Sequence, residues 1–167
     1  MVIERQALLD TARLAQECFL GQTWPAKQLV VFNATGVPLN RLPLPNVVEI
    51  RLHRMARPLM LSVLRENADG EWCVTWDPDC WYASTVLERH MKAAERETAV
   101  VFKRVTAYCL TEDRTYVIAD ERIVHGSFLR TAKVNFETPF YQQLPKLNWL
   151  DVPAELVIKF VNTIQHE

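Results

Sequence analysis

The spacing of hydrophobic residues changes along this chain, and that change most limits the folds open to it. Residues 3–20 place apolar side chains at helical spacing with charged side chains opposite, which predicts an amphipathic helix. We expect Gly21 to end this helix in the left-handed conformation. The apolar run 29–32 predicts a buried strand, the proline-rich segment 33–46 a loop, and the alternation at 48–52 a strand with one exposed face.

The middle of the chain predicts a hairpin followed by a helix. The apolar runs 59–65 and 72–76 are joined by an Asn-Ala-Asp-Gly turn, a combination typical of a β-hairpin. Thr85 and Glu88 then have the spacing of a capping box, which predicts a central helix over 86–97.

The last third of the chain predicts a second hairpin and a closing helix. The hairpin would pair 99–110 with 116–119 across a polar turn. Residues 120–136 fit either a strand or two helical turns, and we favour the strand. Pro153 suits the first turn of a helix over 154–165 with a buried apolar stripe.

This order of elements predicts one α+β domain spanning residues 1–167. Because the links have hairpin length, we expect a mainly antiparallel sheet of six or seven strands with an N-terminal, a central and a C-terminal helix. A chain of 167 residues can bury one sufficient core without disulfides or a structural metal.

Composition excludes several functional classes. Four widely separated glycines leave no glycine-rich loop for phosphate. The 19 basic and 20 acidic side chains nearly cancel, and without a polybasic run the chain does not have the pattern of an obligate nucleic-acid binder. No apolar stretch approaches the length of a membrane span, and the N-terminal residues are charged where a secretory signal is apolar. We therefore expect a cytoplasmic protein with reduced cysteines.

Cys73, Cys80 and His90 could be combined with nearby carboxylates into a set of zinc ligands. Their spacing matches no standard zinc ribbon or finger, in which paired cysteines lie two to four residues apart. Free cysteines are commonly small buried residues. We therefore predict no metal site and no cofactor.

An aromatic-acidic turn is the first candidate binding surface, and we define it as Asp77, Asp79, Trp81 and Tyr82. Tryptophan and tyrosine are enriched at binding hot spots, and a turn can leave them exposed. The alternative is that these aromatic side chains are part of the core, which we favour for Trp72 and Trp76 on the preceding predicted strand.

A basic strip is the second candidate, and we define it as Arg51, His53, Arg54 and Arg57. Residues 41–65 are predominantly basic, whereas 66–88 carry acidic side chains and no lysine or arginine. Arginine suits the forked recognition of phosphate or of an acidic protein surface. The alternative is that the strip is a solvated edge paired with its acidic neighbour.

The segment 116–122, Tyr-Val-Ile-Ala-Asp-Glu-Arg, resembles the strand-and-turn segment of the ParB/sulfiredoxin-like fold. That fold includes DNA-partitioning proteins, nucleases and plasmid-encoded inhibitors of conjugation. The resemblance implies nucleotide or DNA phosphate bound near Glu121, Arg122 and Arg130, with His125 as a candidate base. A nuclease or nucleotide hydrolase is accordingly the alternative function.

The leading hypothesis is a non-enzymatic interaction protein, of the accessory or inhibitor kind that plasmids and phages encode. It would bind a protein partner through the basic strip and the aromatic-acidic turn, with nucleic acid as the alternative partner and no membrane association. A third hypothesis is carriage of a ligand in a cavity between the sheet and the closing helix.

Overall fold

The computed structural model of the protein describes residues 1–94 in full. Beyond them it describes the backbone of six strands, and side-chain burial only at Val157 and Ile158; these strands are 99–102, 105–109, 114–118, 126–129, 148–150 and 157–161.

The described helices are α1 Leu9–Leu20, α2 Arg57–Glu66 and α3 Val86–Ala94, and a 3-10 turn, Gln6–Leu8, precedes α1. The described strands are β1 Val2–Ile3, β2 Leu29–Asn33, β3 Val47–Arg51, β4 Trp72–Val74, β5 Cys80–Tyr82, β6 Ala99–Phe102, β7 Val105–Cys109, β8 Arg114–Ile118, β9 Gly126–Leu129, β10 Asn148–Leu150 and β11 Val157–Val161. Among the described helices, none has the length and apolar character needed to cross a membrane.

The described strands form three sheets, so the prediction of one mainly antiparallel sheet of six or seven strands is wrong. The strand orders are β1-β2-β3, β10-β6-β9-β4 and β5-β11-β7-β8. Four of the described pairings are parallel: β1-β2, β2-β3, β10-β6 and β11-β7. The broader prediction of a chain that contains both helices and strands is confirmed for the described residues.

Strands β1 and β2 pair in parallel because α1 connects them as a crossover helix, and the loop 34–46 makes the crossover from β2 to β3. The sequence pattern predicts one helix over 3–20, but the chain makes the strand Val2–Ile3 before α1 begins at Leu9. Strand β1 has only two residues, which are too few to show the alternation of a strand, so the sequence pattern assigned Ile3 to the helix that follows. Gly21 ends α1 with a φ of −76°, not in the left-handed conformation.

The segment predicted as the first strand of a hairpin is helix α2. Pro58 lies in its first turn, where its fixed φ suits a helix and its missing N–H breaks no hydrogen bond. Met60 is 1% exposed and packs with Val2 and Phe32. The apolar residues at 60–64 fit the spacing of a helix and the spacing of a strand alike. Strand β4, the predicted hairpin partner of this segment, pairs with β9 instead.

The segment predicted as a C-terminal helix contains strand β11. This strand pairs with β5 on one side and with β7 on the other, so it is an inner strand of its sheet. Val157 is 2% exposed and belongs to the main core. Inner strands are mostly apolar, and β-branched residues such as Val157, Ile158 and Val161 favour them; in β11 only Lys159 is charged.

Several other elements were predicted correctly. Strands β2 and β3 lie where the sequence placed them, and the described loop between them contains no regular element. Strands β7 and β8 form the predicted hairpin, but residues 99–102 of its predicted first strand are the separate strand β6, which pairs with β9 in another sheet. Helix α3 lies in the segment predicted for the central helix, and β9 lies in the segment for which we favoured a strand over a helix.

The main core lies between α1, β2 and β5. Ala12, Ala15 and Phe19 face inward from α1 and are buried with Val31 of β2 and Tyr82 of β5. This packing fixes β5 and the turn before it against α1, and that turn forms one wall of the site described next.

Candidate functional site

A cavity of about 430 Å³ lies beside α2 and next to the ends of β1 and β4. Its volume falls in the range of roughly 300–1,000 Å³ that is typical of pockets for small organic ligands. Among the described residues, its apolar lining includes Phe19, Trp24, Leu61, Leu64, Trp72 and Trp76. The cavity is therefore a mainly apolar site in which few polar groups can orient a ligand.

Helix α2 contributes one face to this cavity. Arg57, Leu61, Leu64 and Arg65 all line it, at positions i, i+4, i+7 and i+8 of the helix. Met60 lies at the edge of this face and packs with Val2 and Phe32, and Leu61 and Leu64 pack against the same cluster. Two leucines thus line the middle of the wall, between two arginines about 12 Å apart along the helix axis.

Three of the five tryptophans, Trp24, Trp72 and Trp76, line the cavity. The indole N–H of Trp76 donates a hydrogen bond of 2.9 Å to the backbone oxygen of Ala15. The Trp76 ring also stacks on Tyr82 with 3.8 Å between ring centroids, and the edge of Phe19 completes the group. Trp76 is thus a fixed wall, whereas Trp24 and Trp72 are partly exposed.

The structure separates the two aromatic members of the aromatic-acidic turn. Tyr82 is 2% exposed, and its hydroxyl oxygen accepts a hydrogen bond of 2.5 Å from the backbone N–H of Asp77. Burial raises the pKa of Tyr82 well above its usual value. Trp81 points to the opposite face of β5 and is half-buried, so it is the more accessible of the two.

The structure brings part of the basic strip to the aromatic-acidic turn. A guanidinium nitrogen of Arg57 lies 3.9 Å from a carboxylate oxygen of Asp77, and another lies 3.2 Å from Glu4. Arg54 also pairs with Glu4, at 3.2 Å. Arg57 and Asp77 both line the cavity, so two clusters predicted separately from the sequence meet at one of its ends.

Arg51 and His53 of the basic strip are exposed, and their side chains have no hydrogen bond or ion pair within the described part of the chain. They do not line the cavity. Glu4, which binds the other half of the strip, was missed by the sequence analysis because 53 residues separate it from Arg57. No local pattern could have identified that pairing.

Lys27 is a cavity residue that the sequence analysis also missed. Its ammonium group donates to the backbone oxygens of Leu20, at 3.0 Å, and Gln22, at 2.5 Å, and lies 5.6 Å from the centroid of the Phe19 ring. Burial lowers the pKa of this amine. A lysine shortly after a helix commonly bonds the last carbonyls of that helix, and this signal was present in the sequence.

Lys27 lies near the end of α2 that carries Arg65. The side chain of Gln28 exchanges two hydrogen bonds with Asp69, of 2.8 and 3.0 Å, which joins the segment after α1 to the turn after α2. Lys27 and Arg65 therefore line the cavity at the end away from Arg57 and Asp77.

Asp77, Asp79 and Cys80 place one potential metal-ligand atom each within 4.8 Å of one another. Zinc sites normally use four ligands, and the described residues supply three in this cluster. His90 is fully buried on α3, and Cys73 lines the cavity; neither belongs to this cluster.

The residues of the alternative enzyme hypothesis, Glu121, Arg122, His125 and Arg130, lie outside the described residues. The strand that precedes them in the ParB/sulfiredoxin-like resemblance corresponds to β8, Arg114–Ile118. The nuclease or nucleotide hydrolase interpretation stays a prediction.

Comparison with known proteins adds no relative. No protein-family model matches the sequence, and a search of curated proteins found no significant match.

Proposed function

We propose that this chain is a non-enzymatic binding protein that holds the apolar body of a small organic ligand in the cavity beside α2. The observation that carries this proposal is the cavity itself, at about 430 Å³ and with three tryptophans in its walls. An apolar pocket of this size with a few convergent polar groups is the general pattern of a ligand site.

The polar groups of the cavity are held by internal contacts, and this favours a role in ligand binding over a role in catalysis. The Lys27 amine is bonded to two backbone oxygens, and Arg57 is paired with two carboxylates. The backbone of Asp77 is held by the Tyr82 hydroxyl. These contacts fix the shape of the walls, and preorganised walls reduce the entropic cost of binding.

The test uses N-phenylnaphthylamine, a neutral apolar dye whose emission increases in apolar surroundings. We expect saturable binding to the protein, with energy transfer from the tryptophans of the cavity wall. Leu61→Trp fills the cavity from α2 and should weaken binding about tenfold or more, a loss of about 1.4 kcal/mol or more.

Leu59→Trp is the matched control, because Leu59 lies two residues away on the same helix, is 57% exposed and does not line the cavity. It should leave the dye affinity unchanged. Absence of saturable binding to the folded protein, or equal losses in the two variants, would refute the proposed function.

We propose contact with an acidic macromolecule as a second candidate function. The observation that favours it is that the side chains of Arg51 and His53 are exposed and have no polar partner within the described residues, while Trp81 is half-buried on β5. The test compares binding of polyglutamate and of a short DNA duplex at low salt. Arg51→Glu should abolish binding to the preferred polymer, and failure to bind either one would exclude this candidate.

A further inference from the structure

We infer that strand β3 binds an extended acidic segment of a partner protein, which adds to the sheet β1-β2-β3 as a fourth strand beside β3. The backbone of this segment would pair with the free edge of β3, and one of its acidic side chains would lie beside Arg51. This inference rests on the second candidate function, contact with an acidic macromolecule. It deepens that function, because it assigns the class of partner and the way in which the partner binds.

The first step is the direction of the backbone groups along β3. The backbone N–H of Leu29, on β2, donates a hydrogen bond of 2.8 Å to the oxygen of Asn46, the residue before β3. Because these directions alternate along a strand, the even-numbered residues of β3 bond to β2, whereas the odd-numbered residues point away from it. Within the described residues, the backbone groups of Glu49 and Arg51 have no partner on that side, so β3 has a free edge.

The second step is that, in the described part of the chain, this free edge lacks most of the features that prevent another strand from adding. Such features include proline, a very short strand, and a covering helix or loop. Strand β3 has five residues and no proline. Helix α2 packs through Met60 on Val2 of β1 and Phe32 of β2. On the same face, Val48 is 39% exposed, and Leu52, the residue after β3, is 47% exposed, so apolar side chains of an added strand can pack there.

The third step is the charge beside the free edge, which favours an acidic partner. The side chain of Arg51 is exposed and has no ion pair within the described residues. Glu49 lies on the same face, but its carboxylate is held towards β2. One of its oxygens accepts hydrogen bonds from the Asn33 side chain, at 2.5 Å, and from the backbone N–H of Leu39, at 3.0 Å. Opposite charges on facing residues stabilise a strand pair and like charges destabilise it, so an acidic residue fits beside Arg51.

The other charges at the end of β3 agree with this preference. His53 is exposed, and Arg54 pairs with Glu4 at 3.2 Å. Residues 47–54 thus contain three basic side chains, those of Arg51, His53 and Arg54, and one acidic side chain, that of Glu49. A second copy of this chain would bring the same predominantly basic segment to the free edge. The complementary occupant is therefore an acidic segment of a different protein.

The test uses the peptide Thr-Val-Glu-Val-Glu-Val-Thr, blocked at both ends, whose side chains alternate between apolar and acidic. Its affinity is measured by the fluorescence anisotropy of an attached dye. The comparison peptide has the same sequence with methyl groups on the backbone nitrogens of its five central residues, which removes N–H donors and leaves every charge. We expect the parent peptide to bind and the methylated peptide to bind about tenfold or more weakly, because backbone hydrogen bonds to β3 are lost.

Amide hydrogen exchange locates the bound peptide within one strand. Without peptide, the N–H groups of Glu49 and Arg51 should exchange faster than those of Val48 and Ile50, which bond to β2. At a peptide concentration of about ten times Kd, exchange at Glu49 and Arg51 should slow about tenfold, with far less change at Val48 and Ile50. If Glu49 and Arg51 keep their exchange rates, the peptide binds elsewhere and this inference is wrong.

Arg51→Gln tests the charge separately from the backbone. It should weaken binding of the parent peptide about threefold, as loss of one cross-strand charge pair would. Arg89→Gln is the matched control for loss of one positive charge, because Arg89 is exposed on α3, outside the sheet β1-β2-β3. It should leave the affinity unchanged, and equal losses in the two variants would contradict the contact with Arg51.

The outcomes separate this inference from the function on which it rests. If the parent and methylated peptides bind equally well, or if polyglutamate or the DNA duplex binds and the parent peptide does not, strand addition is wrong and the second candidate function stands. If neither peptide nor either polymer binds the folded protein, the second candidate function fails as well.

Discussion

At the scale of single residues, Gln22 connects two helices through its side chain. It is 5% exposed, and its amide nitrogen donates to the backbone oxygens of Cys18, at 3.0 Å, and Ala83, at 2.8 Å. Its amide oxygen accepts a bond of 3.0 Å from the backbone N–H of Leu87, in the first turn of α3. One side chain thus satisfies groups at the end of α1 and at the start of α3.

We predict that Gln22→Leu lowers the free energy of unfolding by about 3 kcal/mol, because leucine fills similar space but leaves the Cys18 oxygen and the Leu87 N–H without their described partner. Urea denaturation with a constant slope would measure this loss. Gln6→Leu, at an exposed glutamine with one weak contact of 3.5 Å, should change stability by less than about 0.5 kcal/mol. Equal effects of the two changes would contradict the role assigned to Gln22.

The two neighbours Trp81 and Tyr82 provide the second prediction at this scale. Tyr82 is stacked on Trp76 in the core, so Tyr82→Ala should cost about 3–5 kcal/mol of unfolding free energy. Trp81→Ala should cost clearly less, because that side chain is half-buried.

Thermal denaturation of both variants gives the comparison, and a larger loss for Trp81→Ala would show that the two side chains have been assigned to the wrong faces of β5. A combined change of both residues would mix loss of folding with loss of binding. Tests of partner binding at the aromatic-acidic turn should therefore change Trp81 alone.

At the scale of secondary-structure elements, α2 offers a test of which of its faces is buried. On the helix, Met60 is 1% exposed and Leu59 is 57% exposed. We predict that Met60→Ala costs about 2–5 kcal/mol of unfolding free energy, whereas Leu59→Ala costs less than about 0.5 kcal/mol. Chemical denaturation measures both free energies of unfolding, and similar losses would contradict the buried face assigned to α2.

The elements that the sequence predicted correctly are those whose pattern has one interpretation. The sequence of α3 has the spacing of a capping box and one apolar face, and 29–32 is a uniformly apolar run of strand length. By contrast, 59–65 and 154–165 contain apolar residues that satisfy helical and strand spacing alike. Their state depends on distant partners, β2 for α2 and both β5 and β7 for β11, which local spacing does not encode.

Part of the candidate site, like part of the secondary structure, was predictable from the sequence. Arg57 and Asp77 were identified from clustering of charge in the sequence, and both line the cavity. Lys27, Trp24 and Leu61 reach the same cavity from separate segments, and each one alone has an ordinary local pattern. A cavity is a property of packed elements, so it required the position of α2, which the sequence analysis had assigned to a strand.

At the scale of the whole molecule, the buried amino group of Met1 links stability to pH. It donates a hydrogen bond of 2.8 Å to the backbone oxygen of Val30. Burial lowers its pKa from 8.0 to about 5, and the nearby Asp77 carboxylate opposes this shift only in part. Since the pKa is lower in the folded protein, the unfolded chain binds more protons between pH 5 and 8.

We predict that the free energy of unfolding of the chain with a free Met1 amine decreases as pH falls from about 8 to about 5. The lowered pKa corresponds to a contribution of up to about 4 kcal/mol across this window, and above pH 8 the amine contributes no further dependence. Urea denaturation at a series of pH values measures the slope.

The chain acetylated at the Met1 nitrogen isolates this contribution from that of every other titrating group. Acetylation removes the charge but keeps one N–H for the Val30 oxygen, and Met1 lines the cavity, where space exists for the added group. The acetylated chain should therefore show a shallower decrease in stability between pH 8 and 5. If both chains lose stability in parallel, the Met1 amine is not buried in its neutral form, and the start of β1 is more hydrated than its hydrogen bond to Val30 indicates.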